Sequence, residues 1–164
     1  MLKPASLPAV LVVASLLFVM DALMVNVVFL SLLTAIFQLV VGLPLLYLRQ
    51  DERRKRLRNV CIFLGTFVMA VAMVNVNAYI APLHADRLIK AIESYRAANG
   101  VYPQKLDDLV PTFIDHVPYA QYTIMGVFFY VRGGTKEPPV LWYNPHGMDH
   151  RTYYFKTKDW HYLG

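Results

Sequence analysis

The pattern of apolar and polar positions changes abruptly at Pro82. Segment 60–81 contains no charged residue, and about 20 apolar residues of helix are enough to cross the hydrocarbon core of a bilayer. We therefore predict a membrane-spanning helix over 60–81. After Pro82 the chain becomes amphipathic and polar, so 1–81 is predicted to be a transmembrane region and 82–164 a water-soluble domain.

A second apolar stretch, 7–48, is about twice as long as a single crossing. Asp21 is its only charged residue, and a carboxylate in the middle of a bilayer is costly. We therefore expect a turn from Asp21 to Asn26, at the membrane surface, with helices over 8–20 and 27–48. The alternatives are one long tilted helix, or a first helix that runs through Asp21 to pair with a neighbouring polar group.

Positive charge is concentrated in 49–58, between the second and third predicted helices. Its six basic residues are Arg49, Arg53, Arg54, Lys55, Arg56 and Arg58. Basic residues beside membrane spans stay on the cytoplasmic side. We therefore expect 49–58 to be a cytoplasmic loop in a bacterial inner membrane, with the N-terminus cytoplasmic and 82–164 periplasmic.

Beyond Pro82, apolar residues at Leu88, Ile92 and Tyr95 have the spacing of one helical face. The residues that follow are typical of a helix end, because Asn and Gly tolerate left-handed backbone and proline does not continue a helix. We therefore predict a helix that ends in a structural turn. Its turn residues are Asn99, Gly100, Tyr102 and Pro103.

The remaining sequence predicts a small sheet. Segments 122–132, 140–143 and 151–156 are rich in β-branched and aromatic residues and are separated by turn residues. The fold class is therefore membrane α-helical, with three transmembrane helices, plus a small α+β domain. In that domain the long N-terminal helix packs on a roughly three-stranded antiparallel sheet.

The order of these features resembles the major pseudopilin of type II secretion systems and related pilin-like domains. The residues that carry the resemblance are AIESYRAANGVYP at 91–103, LDDLVP at 106–111, Val117 with Pro118, and the late Trp160. The resemblance covers roughly 60–164. It implies a membrane helix that continues into a periplasmic helix, with a small antiparallel sheet packed on it.

Two departures limit what the resemblance implies. True pilins and pseudopilins carry a basic leader, a cleavage-site glycine and a glutamate shortly inside the apolar helix, whereas 58–65 reads RNVCIFLG here. The calcium loop of the major pseudopilins is rich in aspartate, whereas 144–151 reads NPHGMDHR. Processing, polymerisation and calcium binding are therefore not carried over, and the chain is not a true prepilin.

Composition and charge narrow the function classes. Because 57% of the residues are apolar, part of the surface is expected to face membrane lipid. The segment after Pro82 contains nine basic and eight acidic residues, so it has no basic face of the kind that nucleic acid requires. No nucleophile elbow, phosphate loop or zinc-protease motif occurs. We therefore expect neither catalysis nor a cofactor.

A weak metal candidate and an aromatic surface are left. His146, Asp149 and His150 could supply two imidazoles and a carboxylate, although such residues in a Gly/Pro loop are usually solvated. Fourteen aromatic residues lie between Tyr102 and Tyr162. We expect an accessory protein that binds a protein partner, linked to a secretion or pilus system. The alternatives are a stand-alone envelope protein, such as an immunity or stress factor, and a metal-binding or enzymatic membrane protein.

Overall fold

A computed structural model of the protein describes residues 5–48, 52–133, 137–145 and 149–163. The chain divides into two compact units between Asn75 and Val76. Three helical stretches of the described chain are apolar and long enough to cross a membrane, judged by length and composition. They are Leu7–Met24, Phe29–Leu48 and Arg53–Asn99.

The first unit begins with a helical hairpin. Helix α1, Leu7–Phe18, continues as a π-helix, Val19–Val25. Asn26 then adopts a left-handed backbone with φ of 53°, which ends the helix and reverses the chain. The return arm is α2, Phe29–Phe37, the π-helix Gln38–Gly42 and α3, Leu43–Leu48. A hairpin is therefore present and a single long helix is excluded.

Asp21 lies inside the hairpin rather than at its turn. Its carboxylate is 2% exposed and accepts hydrogen bonds from the backbone N–H of Leu30 at 3.1 Å and of Ser31 at 2.6 Å, and from the Ser31 hydroxyl at 2.6 Å. The first N–H groups of a helix have no acceptor within the helix, and a carboxylate beside them is favourable. The helix therefore runs through Asp21, and the turn begins only at Asn26.

The buried apolar side chains of the first unit are small. They are Val10, Ala14, Ala22, Ala35, Val60 and Ala70. Larger ones, such as Leu16, Phe29 and Val68, are exposed. Small residues let helices approach closely, and this pattern is typical of helices that pack against one another in a membrane.

Helix α4, Arg53–Asn99, is a single helix of 47 residues with Pro82 inside it. The predicted loop 49–58 is therefore wrong from Arg53 onward, whereas Arg49 lies outside the described residues. Lys and Arg are good helix formers. In addition, Arg56 pairs with Glu52 one turn earlier, at 2.9 Å.

The second unit completes its fold after the end of α4. A 3₁₀ turn, Leu106–Leu109, precedes a four-stranded antiparallel sheet of order β1-β2-β3-β4. The strands are β1, Phe129–Val131; β2, Val140–Tyr143; β3, His150–Tyr154; and β4, Asp159–Leu163. The sequence predicted three strands, so β4 is an addition and the predicted strand over 122–132 is shorter than expected.

The additional strand β4 and the shorter β1 both result from turns that the sequence does not mark clearly. Strands β3 and β4 are joined by 155–158, which contains no glycine, and Lys158 takes the left-handed backbone with φ of 60°. Before β1 the chain folds back on itself, because the backbone N–H groups of Ala120 and Gln121 both donate to the Gly126 carbonyl, at 2.8 and 3.2 Å. Extended pairing therefore begins only at Phe129.

The core of the second unit lies between α4 and one face of the sheet. Leu88 and Ile92 of the helix belong to one buried cluster with Leu141, Tyr143 and Tyr153 of the sheet. Burying a large apolar side chain stabilises by about 1.5–3 kcal/mol relative to leaving it exposed. A helix packed on an antiparallel sheet is therefore confirmed as the architecture of this unit.

Candidate binding surface

The strand register separates the two faces of the sheet. Residues paired across neighbouring antiparallel strands point to the same side. One such row crosses all four strands and consists of Phe129, Trp142, Thr152 and His161. The neighbouring row contains Tyr130, Leu141, Tyr153 and Trp160, which line the core. The first row therefore belongs to the face directed away from α4.

Aromatic contacts connect this second face, which we term the outer aromatic face. The rings of Phe129 and Trp142 are stacked with centroids 4.0 Å apart and an angle of 11° between their planes. His150 meets Trp142 edge-on at 4.9 Å, and Tyr154 meets His161 edge-on at 5.2 Å. We define the outer aromatic face as Phe129, Val131, Trp142, His150, Tyr154 and His161. The register places Val140, the buried Thr152 and the exposed Asp159 on the same side of the sheet.

This face combines broad apolar area with a few hydrogen-bonding groups. Phe129, Val131 and His161 are exposed, and Trp142 and Tyr154 are partly exposed. Aromatic side chains lose little conformational entropy when they bind and are enriched at protein interfaces. The arrangement is therefore suited to recognition of another protein surface.

The metal candidate is only partly described. His146 lies outside the described residues. Asp149 is exposed, and His150 places Nδ1 2.6 Å from Asn144 Oδ1. Within the described part of the chain, no three His, Cys, Asp or Glu side chains come close enough to hold a metal ion. A metal site that includes His146 therefore stays a prediction.

The basic residues that predict topology lie at the start of α4. Arg53, Arg54 and Lys55 are exposed, whereas Arg56 and Arg58 are half-buried. Arg56 also lines a cavity of about 220 Å³ within the first unit, together with Val10, Phe37 and Asn59. Glu52 forms a salt bridge with Arg56 at 2.9 Å, so the positive charge of Arg56 is already neutralised by a neighbouring side chain. The cavity is therefore not favoured as an anion site.

The predicted turn residues connect the end of α4 to the sheet. Asn99 ends the helix, and Gly100 has φ of 75°, which glycine adopts without steric cost. Arg96 donates to the Tyr102 hydroxyl at 2.7 Å, and the Pro103 carbonyl accepts from the Tyr130 hydroxyl at 3.0 Å. Asn99 and Gly100 therefore form the turn, and the contacts of Tyr102 and Pro103 connect it to α4 and to the sheet.

Burial sets the protonation of the tyrosines around this turn. Loss of hydration raises the pKa of Tyr130 well above its ordinary value near 10, and burial likewise raises the pKa of Tyr102, with a further contribution from Glu93. Both hydroxyls therefore stay neutral to a more alkaline pH than a free tyrosine does, and both make hydrogen bonds within the fold.

Two buried amides were not identified from the sequence as structural contacts. Asn77 is fully buried, and its Oδ1 accepts a hydrogen bond from the Tyr122 backbone at 2.9 Å. Gln121 donates through Nε2 to the Pro145 carbonyl at 2.9 Å. The only signal for Asn77 is an amide in an otherwise uncharged stretch. Its partner, a backbone N–H far along the chain, has no sequence signature.

Comparison with protein-family models, curated proteins and solved structures finds no match to this chain. The resemblance to pseudopilins therefore stays a prediction from the sequence, carried by 91–103, 106–111, Val117 with Pro118, Trp160 and the order of the elements.

Proposed function

We propose that the protein is a non-catalytic, membrane-anchored interaction protein that binds a protein partner through its outer aromatic face. The observation that supports this function is the stacked Phe129–Trp142 pair, which continues to His150 and lies on the face of the sheet opposite the core. Burying an aromatic surface of this kind against a partner is favourable relative to leaving it in water.

The proposal includes an orientation. The five described basic residues at the start of α4 favour the cytoplasmic side for that end of the helix. The second unit then lies on the periplasmic side of a bacterial inner membrane, with the N-terminus in the cytoplasm. The chain would cross the membrane three times.

The class of partner follows from the resemblance to pseudopilins. An apolar helix that runs through Pro82 and ends at the Asn99 turn, followed by an antiparallel sheet, has the element order of that family. We therefore propose a component of a secretion or pilus assembly as the partner. A chain held by two further apolar helices and without a processing site would act as a fixed display platform rather than as a polymerising subunit.

Photo-crosslinking from matched positions tests the binding surface. A photoreactive phenylalanine replaces either Val131 on the outer aromatic face or Val101 in the turn after α4. The two valines are similarly exposed, at 56% and 53%. In living cells we expect a discrete protein adduct from position 131 and none from position 101. Mass spectrometry of the adduct should identify a secretion or pilus component.

Other outcomes contradict one part of the proposal or the whole. Absence of a protein adduct from position 131 in cells that express the assembly would overturn binding through the outer aromatic face. An adduct with an incoming toxin or soluble ligand would favour the stand-alone envelope protein instead. For orientation, alkaline phosphatase fused after Gly164 should be active, and an inactive fusion would reverse the assigned sides.

A further inference from the structure

One loop of the second unit, 119–127, carries an exposed apolar surface. Ile124 and Met125 are 66% and 69% exposed, and the rings of Tyr119 and Tyr122 are exposed beside them. The surrounding segment, 117–131, contains no charged residue. A soluble domain rarely leaves a contiguous patch of this kind in water, so the loop requires an apolar environment.

Two hydrogen bonds fix this loop beside α4. The Tyr122 backbone donates to Asn77 Oδ1 at 2.9 Å, and His84 Nδ1 lies 2.6 Å from the Tyr119 carbonyl. Asn77 and His84 are separated by about 10 Å along the helix, at 1.5 Å per residue. The loop therefore lies alongside this part of α4 and cannot be displaced without loss of both contacts.

The adjacent part of α4 is itself apolar. No residue in 59–85 is charged, and the next charge along the helix is Asp86. Tyr79 and Leu83 are exposed on this stretch. A crossing that begins near Val60 needs about 20 residues, which places the end of the hydrocarbon near the position where the loop begins its contact with the helix.

We propose that loop 119–127 is a second membrane contact of the protein, at the boundary between the headgroups and the hydrocarbon of the bilayer that α4 crosses. Ile124 and Met125 enter the apolar layer, and Tyr119 and Tyr122 lie at headgroup level, where tyrosine is enriched. The partner is the lipid surface, because the contact that anchors the loop, Asn77, belongs to the uncharged part of α4. Together, helix and loop hold the second unit in one orientation against the bilayer.

Spin labels in the full chain test this placement. In a Cys61→Ser background, which removes the only cysteine, a nitroxide is attached through Ile124→Cys or through Val101→Cys as the control. The protein is reconstituted into phosphatidylethanolamine–phosphatidylglycerol vesicles, and collision rates with oxygen and with a water-soluble nickel chelate are measured. Oxygen partitions into lipid and the chelate into water. We expect the oxygen-to-nickel ratio at position 124 to be several-fold higher than at position 101.

Each alternative result overturns the proposal. Equal ratios at the two positions would place the loop in water, and protection at position 124 from both reagents would indicate contact with protein, such as a second copy. Adding Met125→Asp to the Ile124→Cys chain should raise its nickel accessibility several-fold, since a carboxylate draws the loop out of lipid. Unchanged fluorescence of Trp142 and Trp160 would verify that each variant is folded.

Discussion

Among the residues that the structure describes, the buried apolar side chains of the first unit are alanine and valine, whereas those of the second include Leu88, Ile92, Leu109, Leu141 and Phe128. The exposed side chains show the reverse: they are large and apolar in the first unit and often charged in the second. Large apolar side chains cover the helices of the first unit, and charged residues cover much of the helix face of the second, at Asp86, Arg87 and Lys90.

This difference is consistent with a membrane environment for the helices of the first unit. In water, stability comes from removing large apolar side chains from the surface. In lipid that gain is absent, so helices associate through close packing of small residues and through polar contacts such as that of Asp21. The packing of the first unit is therefore typical of helices in a membrane, and that of the second is typical of a domain with a large apolar core.

The largest expected effect is loss of a core side chain in the second unit. Leu88→Ala should lower the free energy of unfolding by about 2–5 kcal/mol, because it removes buried methyl groups and leaves a cavity. Leu83→Ala, at an exposed position of the same helix, is the matched control and should change it little. Both tryptophans lie in the sheet, so their fluorescence during urea unfolding in detergent reports this unit alone. Equal losses would contradict a core at Leu88.

The next largest effect is expected in the first unit, from loss of the hydrogen bonds of Asp21. Asp21→Ala should lower the free energy of unfolding by about 1.5–3 kcal/mol. The substitution removes hydrogen bonds to a charged acceptor and leaves backbone N–H groups of α2 without that acceptor. Ser31→Ala removes only the hydroxyl contact and should cost less. Helix content followed by circular dichroism during unfolding in sodium dodecyl sulfate measures both. A fully tolerated Asp21→Ala would show that the carboxylate does not stabilise the hairpin.

A pair of glycine substitutions contrasts the packing of the units. A Cβ at Gly126 would lie within 2.1 Å of the Gln121 carbonyl oxygen, whereas one at Gly65 of α4 would meet nothing within 4 Å. Gly126→Ala should therefore destabilise the second unit by about 1–3 kcal/mol through overpacking. Gly65→Ala should leave stability unchanged or slightly raised, since alanine favours helix. Thermal unfolding of each variant separates the two expectations.

The smallest effect is a dependence of the stability of the second unit on alkaline pH. Burial raises the pKa of Tyr102, Tyr130, Tyr143 and Tyr153. Unfolded tyrosine titrates near pH 10, so the stability from these neutral hydroxyls is fully present below about pH 10 and is lost as pH rises toward their folded pKa. Urea unfolding at pH 8 and pH 11, followed by tryptophan fluorescence, should show this decline.

A matched pair assigns the decline to a buried hydroxyl. Tyr130→Phe should weaken the pH dependence, whereas Tyr119→Phe, at an exposed position, should keep it. The same decline in both variants would mean that other groups cause it.

The elements that the sequence predicts well are those whose burial repeats with a period. The spacing of Leu88 and Ile92 predicts the core face of α4, and the length of 7–48 predicts a hairpin. Strand β4 is missed because its turn contains Lys158 where glycine is more usual. The residue pattern alone does not predict the continuity of α4 through Pro82, since proline in a helix interior normally argues for a break. That continuity is implied only by the resemblance to pseudopilins.

The candidate surface is predictable in composition but not in arrangement. Fourteen aromatic residues are visible in the sequence, yet only the register shows that Phe129 and Trp142 share the face opposite the core. A shift of one residue would exchange the two faces. The role of Asp21 is also not predictable from the sequence. Its carboxylate accepts hydrogen bonds mainly from backbone N–H groups, which have no sequence signature.

The contacts of Asp21 also bear on how the chain is made. Leu30 and Ser31 lie nine and ten residues after it, so the carboxylate finds its donors as soon as a short further length of chain has been synthesised. A hairpin that crosses a membrane, as we propose, would have its only acid satisfied before the rest of the protein has left the ribosome.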